Sequence, residues 1–108
     1  MNAPPRSEDA LIAELRTVIG EPPRRVLRLG IGDDAAIWRP SRSNESVITT
    51  DALVEDVHFT AAMAPEAIGH RALAANLSDI AAMGARPVLA TIALGVNARS
   101  DDAWIVRA

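Results

Sequence analysis

The chain has 108 residues, room for one domain with a modest core. Its net charge of −3 sets 14 acids against 11 basic residues, all of them Arg and scattered along the chain, which argues against a nucleic-acid footprint. Cysteine is absent, excluding disulfides and thiolate metal sites.

No apolar run is long enough for a bilayer-spanning helix, and residues 1–9 lack the apolar segment of a secretory signal. We therefore expect a soluble, cytoplasmic protein with no nucleic-acid and no membrane partner. Apolar residues make up 49% of the chain, yet Trp38, Phe59 and Trp104 are its only aromatics. A core of Ala, Leu, Ile and Val buries less area per residue, so part of the apolar surface is expected to need a partner chain or a further domain.

In chain order, residues 1–6 read as a disordered lead. Ser7 is placed to N-cap a helix whose first turn carries Glu8 and Asp9. Leu11, Leu15, Val18 and Ile19 then recur at helical spacing until Gly20 and Pro22-Pro23 end it. Residues 26–29 and 35–38 read as short strands on either side of the turn Gly30-Ile31-Gly32-Asp33-Asp34. Residues 40–45 are a polar loop, and the β-branched residues 46–51 read as a strand ending in an acid. Pro65 opens a helix over residues 65–83 that stops at Gly84. Residues 88–96 form an apolar strand, and Ser100, Asp101 and Asp102 start another helix. The mixture points to an α+β class, a mixed or antiparallel sheet with helices over one face.

Three acidic segments could carry chemistry. Gly32-Asp33-Asp34, taken alone, is more often a turn in which a carboxylate bonds nearby amides. Two adjacent acids nonetheless raise each other's pKa unless a cation sits between them. Thr49-Thr50-Asp51 gathers hydroxyl, carbonyl and carboxylate oxygens at a strand end, although, taken alone, β-propensity and a turn-forming Asp explain it better. Asn76-Leu77-Ser78-Asp79 lies inside a helical stretch, where Asn, Ser and Asp are mediocre residues. Asp79, flanked by Leu77, Ile80, Ala81 and Ala82, is expected to be partly buried and so to need a metal, several donors, or an ion pair with Arg71 or Arg86. Hard oxygen donors without Cys or paired His select Mg2+ over zinc or copper. Magnesium would let such an acidic site accept a phosphate. His58, in Val57-His58-Phe59, is either a structural histidine or a donor to a substrate oxygen, and His70 reads as surface.

The segments Leu29-Gly30-Ile31-Gly32-Asp33-Asp34-Ala35-Ala36, Thr49-Thr50-Asp51-Ala52-Leu53-Val54-Glu55, Val57-His58-Phe59 and Asn76-Leu77-Ser78-Asp79-Ile80-Ala81-Ala82-Met83-Gly84-Ala85 together resemble the thiamine-monophosphate kinase family. That family sits within the aminoimidazole ribonucleotide synthetase-like superfamily. Each motif is weak alone; their order and spacing make the resemblance specific. It implies ATP-dependent phosphorylation of thiamine monophosphate to thiamine diphosphate. The positions of Asp34, Thr49, Thr50, Asp51 and Asp79 would hold Mg2+, and His58 would contact the thiamine phosphate. Asp33 would orient the turn or act behind the metal ligands. No covalent enzyme intermediate is required.

The resemblance also implies a homodimer joined through the N-terminal sheets. Residues 7–108 would then be the N-terminal metal/phosphate-binding and dimerisation domain, truncated at its C-terminal end. The family's later Gly-Gly-Asp segment and ATP-completing domain are not among these residues, so the fragment is expected to be inactive alone. One position departs from the family pattern: Asp56 stands where Gly usually precedes Val-His-Phe. The alternatives are a non-catalytic dimerisation module of the same fold and another ATP-using member of the superfamily.

Overall fold

The computed structural model describes residues 7–96 and 101–108. The expected lead at 1–6, and Ser100 at the expected start of the last helix, lie outside the described residues. The chain divides into two compact units, Met1–Ser43 and Asn44–Ala108.

In the first unit, helix α1 (Glu8–Ile19) begins as its sequence requires. The Ser7 hydroxyl accepts the Ala10 amide at 3.3 Å, satisfying one of the donors that a helix start leaves open. Glu8 and Asp9 occupy the first turn and Arg16 the last, each on the side of the helix dipole that favours its charge. The Gly20 amide closes the helix on the Arg16 carbonyl at 3.0 Å. Strands β1 (Leu27–Leu29) and β2 (Ile37–Trp38) pair antiparallel, with Leu27 opposite Trp38 and Leu29 opposite Ile37. A register irregularity separates the two pairs.

The second unit is organised by α2 (Pro65–Ala82), with Pro65 at its first turn and Met83 as its C-cap. Helix α3 (Asp102–Arg107) starts where the Asp101 carboxylate accepts the Trp104 amide at 2.6 Å. It packs on α2. Ile68 of α2 and Ile105 of α3 are buried, as is Pro65 at the start of α2. Arg107 Nε donates to Glu66 Oε1 at 2.7 Å, tying the end of α3 to the start of α2. Gly69 permits the approach, because a Cβ there would overlap the backbone carbonyl of Ala108.

Between the polar loop and α2, residues 54–59 form a tight turn. The Val57 and His58 amides both donate to the Val54 carbonyl, at 3.2 and 2.9 Å, and the Asp56 amide donates to the Phe59 carbonyl at 2.7 Å. Asp56 has φ 63°, a left-handed conformation that L side chains rarely adopt.

The α+β class stands, as does the antiparallel pairing, but among the described residues the sheet has two strands. Residues 46–51 and 88–96, expected as strands, lie outside regular structure. β-Branched residues favour a strand only where a neighbour supplies ladder bonds and a packed face, and these segments have neither. Ile48 and Ile92 are 83% and 81% exposed.

Three outcomes follow from this packing. At an open helical position Gly→Ala gains up to about 1 kcal/mol, whereas overpacking costs about 1–3 kcal/mol. Gly69→Ala should therefore lower the urea or thermal midpoint; a raised midpoint would show that α3 does not cross α2 at Gly69. Asp56→Gly should leave stability unchanged or raise it by up to about 1 kcal/mol, while Asp56→Val should lower it by about 1–3 kcal/mol; denaturant titration of the pair reads the difference. The hydrogen bond from Arg107, then the backbone amide of Glu66 itself and the charge of Arg107, holds the Glu66 carboxyl below its ordinary pKa. A lowered folded-state value means that the stabilisation is complete above the unfolded-state value and is lost as pH falls through the folded one. Carboxyl NMR titration should place Glu66 below ordinary glutamates, and Arg107→Gln should raise it.

Candidate functional site

In the first unit, Asp33 and Asp34 follow Gly32, whose φ of 109° is readily available only to glycine. This left-handed step aims the next two residues into a tight turn in which Asp33 Oδ1 accepts the Asp34 amide at 2.8 Å. The turn and α1 line an open cleft of about 1030 Å³ that includes Asp9, Arg16, Glu21, Gly32, Asp33 and Asp34. Arg16 reaches Gly32 closely, Nη1 lying 3.5 Å from where a Cβ would stand. It also donates to Glu21 Oε1 at 2.8 Å. That bond, and then the Arg16 charge, holds the Glu21 carboxyl below its ordinary pKa. The sequence reading missed Arg16. Its signal was a helix-end cation five residues before Glu21, a spacing that crosses the helix boundary and escapes i, i+4 pattern matching.

In the second unit, two of the expected metal-binding residues come together. Thr49, half-buried, donates its hydroxyl to Asp79 Oδ2 at 3.2 Å, bridging residues 30 apart in sequence. Asp51 Oδ1 accepts the Ala52 amide at 2.8 Å, the same local motif as at Asp33. Thr50 is exposed.

Asp79 is exposed, which corrects the expectation of partial burial. Apolar flanking residues bury an acid only when something covers them, and Leu77 beside it is exposed too. Nor does Arg71 pair with Asp79: its Nη1 donates instead to the His58 carbonyl at 2.5 Å. Asn76 Nδ2 donates to the Ala72 carbonyl at 2.9 Å, so this helix residue is satisfied within α2. His58 Nδ1 accepts the Val54 amide at 3.0 Å, and His70 is exposed, as expected.

The donors fit a hard cation in kind. Thr49 and Asp79 offer hydroxyl and carboxylate oxygens at one point, and Mg2+ bound by one or two carboxylates completes its shell with water and phosphate oxygens. Among the described residues, no three carboxylate or imidazole side chains converge into a metal cage of their own. Asp34 belongs to the first unit; Thr49, Thr50, Asp51 and Asp79 belong to the second.

The chain is similar to thiamine-monophosphate kinases from several bacteria. It is 49% identical over 75 residues to that of Synechococcus elongatus, covering 68% of this chain and 23% of that protein. To the Bacillus subtilis protein it is 44% identical over 78 residues, covering 71% of this chain and 24% of that protein. To the Escherichia coli K12 protein it is 43% identical over 79 residues, 73% of this chain and 24% of that protein. The chain thus spans about a quarter of the length of these relatives. No solved structure matches it. Residues 32–108 match the family described as AIR synthase related protein, N-terminal domain, and the chain belongs to that family.

Proposed function

We propose that this chain is the N-terminal portion of a thiamine-monophosphate kinase, which uses ATP and Mg2+ to convert thiamine monophosphate to thiamine diphosphate. The observation that carries the reading is the Thr49–Asp79 hydrogen bond, which unites two of the acidic motifs in one oxygen-lined site. Identities of 41–49% to thiamine-monophosphate kinases support the choice of acceptor.

In this reading Asp34, Thr49, Thr50, Asp51 and Asp79 are the oxygen ligands. Mg2+ held by these residues would supply the positive charge that offsets the charge of the phosphates. The chain's own residues position and screen. Thr49 orients the Asp79 carboxylate, and the Ala52 amide holds one oxygen of Asp51. His58 contacts the substrate phosphate. The chemistry is direct phosphoryl transfer, with no group on this chain becoming covalently modified.

Residues 7–108 are the metal/phosphate-binding and dimerisation domain of a longer cytoplasmic enzyme, whose remaining part completes the ATP site. The exposed apolar residues Ile48 and Ile92 support a homodimer formed through this domain. Among the described residues, no helix is long and apolar enough to cross a membrane.

Isothermal titration with thiamine monophosphate should show binding that requires Mg2+ and disappears with EDTA. Asp51→Asn and Asp79→Asn should each weaken it by about tenfold or more. Binding that is indifferent to Mg2+ and to both substitutions would remove the metal assignment.

A further inference from the structure

The turn 54–59 engages one ring nitrogen of His58 and leaves the other for a ligand. A backbone N–H can only donate, so the 3.0 Å contact from the Val54 amide makes His58 Nδ1 an acceptor. In the neutral imidazole the proton then sits on Nε2. The side chain is exposed, so this Nε2–H is a donor available to an anionic oxygen, such as that of a phosphate ester. The internal bonds set the backbone of this turn but do not tie it to α2. The amides of Val57 and His58 share one acceptor, the Val54 carbonyl, and Asp56 sits at a left-handed φ that its Cβ disfavours. What anchors the turn from outside is Arg71, which reaches from α2 to the carbonyl of His58 itself. This charge-assisted bond spans 13 residues and ties the histidine's own backbone to an 18-residue helix.

We propose that Arg71 is a positioning residue that locks the 54–59 turn onto α2 and so holds His58 as a fixed Nε2–H donor to a phosphate oxygen. This rests on the reading of His58 as a phosphate contact, but the positioning itself is measurable without ligand. In the wild-type chain, long-range 1H–15N correlation of the imidazole should show one tautomer, protonated at Nε2, and the Val54 amide should be protected from exchange. Arg71→Ala should average the imidazole signals and speed Val54 exchange by about tenfold, as expected for loss of one charge-assisted bond. Arg71→Lys should restore both, because an ammonium can donate to the same carbonyl. If Arg71→Ala unfolds, Arg71→Met keeps the aliphatic stem along α2 while removing the donor. An unchanged imidazole spectrum and unchanged Val54 protection in the folded variant would overturn the proposal, as would a wild-type imidazole protonated at Nδ1.

Titration with Mg2+ and thiamine monophosphate separates the two layers. If ligand shifts the His58 signals equally in the wild type and in Arg71→Met, the phosphate reading survives and positioning by Arg71 fails. If ligand leaves wild-type His58 unmoved while the Arg71 variants loosen the turn, positioning stands and the phosphate contact fails.

Discussion

Helix α2 supplies the attachment points for the rest of the second unit. Asp79 near its end receives Thr49, Arg71 near its middle grips the His58 carbonyl, and Glu66 in its first turn holds Arg107 of α3. Each is a side-chain bond to a residue at least 13 positions away. An 18-residue helix satisfies most of its backbone internally and can therefore act as a rigid rail. The candidate functional residues of the second unit depend on that rail more than on any sheet.

The physical reason is the small amount of apolar burial. Pro65, Ile68 and Ile105 are the buried apolar residues among those described, while apolar residues at 47–48, 88–89 and 92–96 stay in solvent. Burial contributes roughly 25 cal/mol per Å² of apolar surface removed from water, so the second unit leaves much of its own driving force unused. Polar ties then carry a larger share of the organisation than in a well-filled domain. An aromatic-poor composition already implied an apolar surface in need of cover. Among the positions left open, Val47, Ile48, Val88, Ile92 and Val96 are β-branched, a residue type that suits the ladder bonds of an added strand.

How much was legible in the sequence follows from how local each signal is. Ser7, the acids behind it and Gly20 bracketed α1 correctly, because a cap and its helix lie within a few residues of each other. Pro65 and Gly84 did the same for α2. The strands at 27–29 and 37–38 were found with ends shifted by one or two residues. Residues 46–51 and 88–96 were misread because β-propensity describes a residue's fit to a neighbour that the sequence cannot supply. Within the site, Asp51, His58 and Asp79 stood out by motif. Arg71 did not, since its partner is a backbone carbonyl, and every residue has one of those. Asp79 was expected to be buried because its neighbours are apolar, but one face of a helix is buried only when another element covers it.

Asp56 shows how strongly the turn specifies its own backbone. Where the resembling family usually carries Gly, this chain has a residue with a Cβ and a charge, yet φ remains at 63°. The constraint comes from the bonds on either side: Asp56 donates to the Phe59 carbonyl while the next two amides converge on Val54. A change to an ordinary φ would break at least one of them, and a lost hydrogen bond costs about as much as the strain it would relieve. Asp is among the residues that tolerate this region best, because a short polar side chain can bond locally. The substitution therefore spares the geometry around His58 and changes the charge beside it instead. Any altered behaviour of this turn toward an anionic ligand is then an electrostatic effect of the Asp56 carboxylate rather than a consequence of a different fold.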